Sequence, residues 1–480
     1  MRGFNLVRAA VSALSSAKHT KPPLAGGKYT PISVSIVTVL VVAVYATLFG
    51  NFRPLAIDTP WDLSFSYNYC MKGIDTDVTF GSQFPSGMGG TVAFGKLAAM
   101  VQCAALTPFN WSMVAANVLS VAGVVLSMAA IFAFLVNQGF SRFAAVTCCL
   151  ALAATEPFVA MANQSKYEYI TFLLAVCSLV LAARRHLFLA GLVSVLAIEV
   201  QPIGIMAPIY LIAYELSRMV ETRRFRVEFE RVAKIVLGGA LGLAVYFILH
   251  PDILALLTAS SNSAGWNAYP THFLYEYFFE TRLYRHLPEL AVFTACLLVH
   301  IWRRDYMQWP FPIIASLATL FIGFFLRHGN GFYAPFWYFP SFLLVFLTIS
   351  IAWRAVAFPA LVLVLFVPIY AVGYVEGRKY ADQGELQVAR SLIASRGTDL
   401  SHAHIFGDFI FWPVFKDLSF EWSPTAKHSG GTSYLICGLD PPFSPEERVC
   451  GDELPAFSDM QLVAQFSWAG REYLIYERRE

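Results

Sequence analysis

The sequence predicts an all-α polytopic membrane bundle of about 11 transmembrane helices, N-in/C-out, with a small α+β extracytoplasmic C-terminal domain. Three observations lead to this fold class. Of the 480 residues, 57% are hydrophobic and only 14% are charged, whereas a soluble domain has about 25% charged residues. The mean hydropathy is +0.56, and long apolar runs recur between residues 32 and 374. A soluble fold cannot bury this much apolar surface, so we expect the bilayer to solvate most of the chain.

Each apolar run is expected to form a span, because about 20 helical residues cross a hydrocarbon core about 30 Å thick. The runs are 32–50, 111–136, 143–160, 168–183, 187–200, 203–216, 235–249, 288–301, 309–326, 335–352 and 355–374. Residues 1–30 form a basic leader, which the positive-inside rule places in the cytoplasm. We therefore expect a transmembrane domain over 31–374, with a large outer loop at 51–110, and a soluble domain over 375–480.

The distribution of Lys and Arg gives the expected orientation. If 187–217 forms a hairpin of two short helices, the leader and the loops on its side contain 17 Lys and Arg, and the loops between spans on the opposite side contain 7. A single helix over 187–217 would move the basic stretch from Arg218 to Lys234 to the other face and remove this asymmetry. The positive-inside rule therefore favours the hairpin and places 375–480 outside the cytoplasm.

The cysteines outside the spans are consistent with this orientation. Cys70, Cys103, Cys437 and Cys450 all fall on the predicted outer side, and no predicted cytoplasmic loop contains a cysteine. An oxidising compartment would allow Cys437 to pair with Cys450 and Cys70 with Cys103, and free thiols in a reducing compartment are the alternative.

Residues 375–480 differ in pattern from the spans. Residues 385–396 have the periodicity of a short amphipathic helix, while 404–411, 433–437 and 462–476 alternate like strands. Gly and Pro clusters separate these segments, which predicts a small α+β domain resting on the outer membrane face.

Composition and motifs argue against several classes of function. A net charge of +2 does not suggest the concentrated basic face of a nucleic-acid-binding protein. The sequence contains no Walker A loop, dinucleotide glycine fingerprint, HExxH motif or paired CxxC motifs. No internal repeat is visible, so symmetry gives no support to an inverted-repeat transporter.

Two Asp residues open the predicted outer loop after the first span. Ionisable side chains close to the bilayer are costly, so each is a candidate functional residue. Asp58 precedes a helix predicted over 61–72, and Asp62 lies in the first turn of that helix. Asp62 could therefore be an N-terminal helix charge, an alternative that does not account for Asp58. Gly73 is expected to stop the helix.

The other candidate residues lie in later outer loops. Lys166 and Glu168 lie at the predicted mouth of the third and fourth spans, where they could instead be interfacial anchors. The loops after the seventh and ninth spans contribute His272, Arg282, Arg285, Arg327 and His328. Basic groups at this depth suit a lipid-linked phosphate through charge-assisted hydrogen bonds, and snorkelling to ordinary headgroups is the alternative.

The order of these features resembles the membrane glycosyltransferases of the GT-C type, in particular the branch with the protein O-mannosyltransferases and the aminoarabinose lipid A transferases. In that family a first outer loop opens with an Asp that a Gly follows at the spacing of Asp58 and Gly73. An outer amphipathic helix comes next, here 91–105, and then an acidic residue at the mouth of the fourth span, here Glu168. A Tyr precedes the Pro that opens a later span, as Tyr333 does here. The resemblance covers the layout of residues 30–375.

The chain departs from this family at three positions. Thr59 stands where the family has an acidic partner of the first Asp, and Phe84 stands where a Lys is often found. The short outer hairpin turn contains Glu199 and Gln201 where the family often has a basic residue. Because of these departures, we expect other basic residues to bind the donor phosphate, and the identity of the donor is left open.

The resemblance implies inverting transfer of a hexosyl or pentosyl group from a polyprenyl-phosphate donor to a lipid, glycan or protein acceptor. The reaction would take place on the outer face of a bacterial inner membrane. Asp58 would be the general base, and Asp62 and Glu168 would orient the base or the acceptor. The remaining candidates would bind the donor phosphate (Lys166, Arg282, Arg285, Arg327, His328) or line the substrate pocket (His272, Tyr333).

The resemblance assigns no cofactor, and participation of a divalent metal beside the acidic residues is left open. Membrane lipids are expected partners and nucleic acid is not. Three alternatives stay open: a secondary transporter, a lipid-linked glycan ligase or polymerase, and a non-catalytic membrane scaffold.

Overall fold

The computed structural model describes residues 58–75, 94–163, 165–222, 225–251, 287–303, 310–325, 334–348, 386–397, 400–407, 409–422, 432–438, 460–468 and 471–478. Within these residues the protein is a helical bundle that is followed by a small domain built on a five-stranded sheet.

The helices of the bundle follow the apolar runs of the sequence. They are α1 Asp58–Tyr67, α2 Lys96–Leu106, α3 Met113–Asn137, α4 Arg142–Ala153, α5 Glu156–Asn163, α6 Glu168–Ala183, α7 Leu187–Val200, α8 Met206–Thr222, α9 Phe225–Leu249, α10 Leu287–Arg303, α11 Phe311–Phe325 and α12 Ala334–Thr348. Serine side chains cap two of them: Ser112 accepts the Ala115 N–H and Ser141 accepts the Ala144 N–H, each at 3.2 Å. A π-helical segment, Asn68–Lys72, continues α1 and ends at Gly73, whose φ of 67° is left-handed, as predicted for a helix stop.

Three helices among the described residues are long and apolar enough to cross a membrane: Met113–Asn137, Pro202–Glu221 and Phe229–Leu249. Six shorter apolar helices accompany them. The predicted hairpin at 187–217 is confirmed as two helices, α7 and α8, which the 3₁₀ turn Pro202–Ile205 joins. The predicted span at 143–160 is divided into α4 and α5, and the predicted spans 32–50 and 355–374 lie outside the described residues.

Helices α7 and α9 run in the same direction and approach each other closely along a glycine seam, formed by Gly191 of α7 and by Gly238 and Gly242 of α9. A Cβ atom added to Gly191 would collide with the Ile235 carbonyl oxygen, and one added to Gly238 would collide with the Phe188 carbonyl oxygen. Small residues allow helix backbones to approach closely where lipid provides no hydrophobic driving force. This seam brings the last residues of α7 and α9 together at one end of the bundle.

We expect Gly191→Ala to destabilise the protein by roughly 1–3 kcal/mol, because the added methyl group meets backbone atoms that have no rotamer with which to yield. Gly239→Ala is the matched control on α9, next to the seam residue Gly238, since the nearest atom to its added Cβ would be 3.5 Å away. The melting temperature in detergent should fall for Gly191→Ala and stay the same or rise slightly for Gly239→Ala. Equal melting temperatures for the two variants would contradict the seam.

The sheet domain has a mixed topology. Its strands are β1 His404–Gly407, β2 Ser419–Trp422, β3 Ser433–Gly438, β4 Gln461–Trp468 and β5 Arg471–Arg478, in the order β2-β1-β3-β5-β4. Strand β1 is parallel to β2 and β3, whereas β5 is antiparallel to β3 and β4. Helix α13, Leu386–Ala394, packs against β4, and the short helix α14, Trp412–Phe415, follows β1.

Three details of the predicted sheet were wrong. The strand predicted over 404–411 ends at Gly407, because Phe409–Phe411 forms a 3₁₀ turn. The strand predicted over 462–476 is the hairpin of β4 and β5, in which Trp468 pairs with Arg471. The turn between β4 and β5 is so short that the alternation of side chains continues through it, so the pattern alone could not reveal the turn. Strand β2, Ser419–Trp422, was not predicted.

The sheet domain and the bundle share a hydrophobic core. Leu63 and Tyr67 of α1, Leu106 of α2 and Trp111 pack with residues of α13, α14 and the sheet. A disulfide between Cys70 and Cys103 joins the π-helical segment to α2, which confirms one of the two predicted pairs. Cys437 is also disulfide-bonded, while its predicted partner Cys450 lies outside the described residues. We call the end of the bundle that meets the sheet domain its sheet-side end.

A carboxylate network at the sheet-side end

Helix α1 carries the two Asp residues that the sequence singles out. It begins at Asp58, three residues earlier than predicted, so Asp58 is its first residue and Asp62 lies one turn further on. The prediction that Asp58 precedes the helix was therefore wrong, as was the alternative in which Asp62 is only a first-turn helix charge. Residues four apart share one face of a helix, so the two positions lie on the same side of α1.

Asp62 is buried, with 7% of its surface exposed, and it binds the chain segment that precedes α6. Its Oδ2 atom accepts the Tyr167 N–H at 3.0 Å, and its backbone carbonyl accepts the Tyr167 hydroxyl at 3.0 Å. The Tyr167 hydroxyl also lies 2.9 Å from the Ser66 Oγ atom, one turn further along α1. Asp62 thus joins α1 to the start of α6, where Lys166 and Glu168 flank Tyr167.

Lys166 and Glu168 are both buried beside Tyr167, with 2% and 4% of their surfaces exposed. An interfacial anchor extends its polar group to water or to lipid headgroups, so the alternative interpretation of these residues as anchors was wrong. Glu168 is the first residue of α6, and its Oε1 atom accepts the Gln201 side-chain amide at 3.3 Å. Gln201 follows α7, so this contact joins α6 to α7.

Glu199 is a fully buried carboxylate that the sequence did not mark as a site residue. It accepts the Leu97 N–H with both carboxylate oxygens, at 3.1 and 3.2 Å, and its carbonyl accepts the Gly95 N–H at 2.6 Å. Both N–H groups belong to the first turn of α2, where free N–H groups and the helix dipole favour a negative charge. Glu199 therefore caps α2 from the end of α7.

His250 completes this part of the site. Its Nε2 atom lies 2.9 Å from Glu199 Oε1, and only 3% of the residue is exposed. The pair forms where the glycine seam ends, since Glu199 is near the end of α7 and His250 directly follows α9. One signal could have identified Glu199: it is the only charged residue in the apolar run 187–200, and such residues are functional candidates.

Gly95 connects the two halves of the network. It has a φ of 92°, which L-residues rarely adopt, and a Cβ added to it would lie 2.7 Å from the Tyr167 ring. Its N–H binds Glu199 while its Cα faces the tyrosine that binds Asp62. Asp62, Glu168 and Glu199 thus belong to one connected set of contacts at the sheet-side end, which we call the carboxylate network.

Most of the basic candidates fall outside the part of the chain that the structure describes. These are His272, Arg282, Arg285, Arg327 and His328, and Tyr333 is outside it as well. The side chain of Asp58 is also not described. Among the side chains that are described, no three of His, Cys, Asp and Glu are grouped so that they could hold a metal ion.

A cavity of about 370 Å³ opens at the boundary between the bundle and the sheet domain. Trp111, Leu386 and Lys416 are among its lining residues, and the lining includes none of the three carboxylates of the network. The carboxylate network is therefore a separate feature of the sheet-side end.

Solved structures of two enzymes resemble this chain. ArnT from Cupriavidus metallidurans, bound to undecaprenyl phosphate, matches 92% of the chain and 97% of its own length at 14% identity and a TM-score of 0.54. The apo oligosaccharyltransferase of Archaeoglobus fulgidus matches 82% of the chain at 11% identity and a TM-score of 0.52. The chain spans 64% of the length of that archaeal enzyme. No protein-family model and no curated protein sequence matches the chain.

These likenesses show the fold. Both proteins are GT-C glycosyltransferases, so the resemblance predicted from the order of loops and spans is confirmed at the level of architecture. The chain has the fold of a polytopic membrane glycosyltransferase of the GT-C type.

Proposed function

We propose that the protein is a membrane glycosyltransferase that moves a sugar from a polyprenyl-phosphate carrier to an acceptor on the extracytoplasmic face. The observation that carries this proposal is the burial of Asp62 and Glu168 on either side of Tyr167, at one end of a fold shared with ArnT. The ArnT structure contains undecaprenyl phosphate, which supports a donor of this chemical class. Buried carboxylates are costly, so their grouping at one end of a membrane bundle favours a functional role.

Asp58 is the proposed general base, which removes the proton from the acceptor hydroxyl as that oxygen attacks the anomeric carbon. Asp62 is less suited to this role, because its carboxylate already binds the Tyr167 N–H and is buried. At the first residue of α1, Asp58 lies where the helix dipole favours the ionised carboxylate that a base requires. Asp62 and Glu168 would then position the base and the acceptor.

The leaving phosphate requires positive groups, and Lys166 is the buried candidate at the network. Arg282, Arg285, Arg327 and His328 are proposed as further phosphate ligands, with His272 and Tyr333 in the substrate pocket. Eleven spans in the N-in/C-out orientation, over residues 31–374, would place the network and the domain at 375–480 outside the cytoplasm. Nucleotide sugars are absent there, which is why a lipid-linked donor fits. We expect inversion at the anomeric carbon.

A second candidate is the transfer of an oligosaccharide rather than a single sugar. It has support from the likeness to the archaeal oligosaccharyltransferase. The two candidates share the lipid-phosphate donor and differ in the size of the transferred group. Mass spectrometry of the product made from a mixture of lipid-linked mono- and oligosaccharides would separate them.

We expect Asp58→Asn to lower the rate of sugar transfer by roughly 10²-fold or more, because the amide cannot accept the proton of the acceptor hydroxyl. Transfer of radiolabelled sugar from undecaprenyl phosphate by the protein purified in detergent measures this. Asp75→Asn is the matched control, since Asp75 is 62% exposed and pairs with Lys96 at 3.3 Å on the surface.

Retained turnover in Asp58→Asn would contradict Asp58 as the base. The whole proposal would fail if the unmodified protein transferred no sugar from any lipid-linked donor tested, including undecaprenyl-phosphate pentoses and hexoses. An Asp75→Asn variant as slow as Asp58→Asn would show that the loss follows from a general change in the loop.

A further inference from the structure

Helix α1 and the π-helical segment after it form one continuous unit that meets two parts of the protein. Asp58 and Asp62 lie in its first half, and Asp62 binds the bundle through Tyr167. Tyr67 lies five residues beyond Asp62, about 7.5 Å along the helix axis, and it packs into the sheet domain. Tyr67 and the two aspartates are therefore parts of one continuous helical segment.

The surroundings of Tyr67 come mostly from the sheet domain. Its hydroxyl donates a hydrogen bond of 2.6 Å to Asp417 Oδ1. Its ring makes edge contacts with Trp111 at 5.5 Å and with Trp412 at 5.9 Å. The Lys416 ammonium lies 5.9 Å from the ring centre. We call Tyr67, Trp111, Trp412, Lys416 and Asp417 the tyrosine clamp.

Hydrogen bonds from two lysines reinforce the clamp, one on each side of the boundary between the bundle and the sheet domain. Lys72 of the π-helical segment donates to the carbonyl oxygens of Lys416 and Leu418, at 3.4 and 3.5 Å. Lys416 of the sheet domain in turn donates to the Asn110 carbonyl oxygen of the bundle. Burial lowers the pKa of both lysines, and the carboxylate of Asp417 opposes that change.

The tyrosine remains a hydrogen-bond donor throughout the physiological pH range. Burial, together with the adjacent Asp417 carboxylate, raises the pKa of Tyr67 to about 12. A raised pKa means that the neutral phenol is favoured in the folded state, so this contact is fully present below about pH 10 and is lost only as the pH approaches 12.

We propose that the sheet domain is a positioning element for the carboxylate network, and that it acts by holding α1 through the tyrosine clamp. The same segment is also joined to α2 by the Cys70–Cys103 disulfide. Its end is thus held by both the sheet domain and α2, while Asp62 binds its first half to Tyr167. The reaction that this positioning serves is the proposed glycosyl transfer, so the inference rests on that function.

Tyr67→Phe tests the clamp, because it keeps the ring contacts and removes only the bond to Asp417. Tyr434→Phe is the matched control, because the Tyr434 hydroxyl donates to Glu477 at 2.9 Å, between two strands of the sheet domain. Two quantities are measured on the full chain in detergent: amide hydrogen exchange over residues 58–72, and kcat and KM for undecaprenyl-phosphate sugar.

We expect Tyr67→Phe to speed exchange over residues 58–72 and to lower kcat, each by about two- to tenfold, as the loss of one hydrogen bond predicts. KM for the donor should stay constant, and Tyr434→Phe should change neither quantity. Faster exchange with an unchanged kcat would overturn the positioning role, since the clamp would then be structural only. Unchanged exchange would overturn the clamp itself, even in a protein without transferase activity.

Discussion

Asp62→Asn is expected to lower the rate of sugar transfer about ten- to hundredfold while it leaves the fold intact. The Asp62 carboxylate is buried and accepts the Tyr167 N–H at 3.0 Å. An asparagine can offer its amide oxygen to the same N–H, so the hydrogen bond is kept and the negative charge is lost. In the proposed mechanism that charge lies one helical turn from Asp58, so its loss changes the electrostatic environment of the base.

Asp62→Ala provides the contrast, since it removes both the charge and the acceptor. The buried Tyr167 N–H would be left without its carboxylate, which costs roughly 1–3 kcal/mol. Melting temperature and kcat should therefore separate the variants: Asp62→Asn loses rate only, and Asp62→Ala loses rate and stability. If Asp62→Asn kept the parental kcat, the carboxylate would serve only as a hydrogen-bond acceptor and the site would not use its charge.

The sequence led to the bundle and to part of the network for a physical reason. Charged groups next to lipid are costly, so Asp62, Lys166 and Glu168 stand out from the apolar sequence around them. The same argument gives the hairpin of α7 and α8, because the sidedness of lysine and arginine depends on it. An isolated charged residue is a local feature of the sequence, and the sidedness of lysine and arginine follows from counting these residues loop by loop.

The rest of the network depends on contacts between residues that are distant in sequence. Leu97 and Glu199 are 102 residues apart, and no periodicity relates the start of α2 to the end of α7. His250 was visible only as one polar residue at the edge of a long loop. Its partner became evident once the glycine seam had placed α7 beside α9 in parallel. The start of α1 was missed because Thr59 and Pro60 are typical of a turn before the helix, although Pro is well suited to a first helical turn.

The Glu199–His250 pair supports the second large effect that we expect. Glu199→Ala should destabilise the protein by about 3–5 kcal/mol, because it leaves a buried histidine and the first turn of α2 without their shared carboxylate. His250→Ala should cost less, since Glu199 still accepts the Leu97 N–H with both oxygens. Unfolding of the two single variants and of the double variant in detergent measures the coupling between them.

The double variant should be little less stable than Glu199→Ala alone, because the loss of the carboxylate already removes most of what His250 contributes. Glu230→Ala is the control, as its carboxylate forms an exposed pair with Lys234 at 2.6 Å and should change the stability little. Strictly additive losses for Glu199 and His250 would mean that the two side chains contribute independently. In that case the contact between Glu199 and His250 would not stabilise the packing of α7 against α9. The position of α2 beside Tyr167 would then depend only on Gly95 and on the hydrogen bonds that Glu199 accepts from α2.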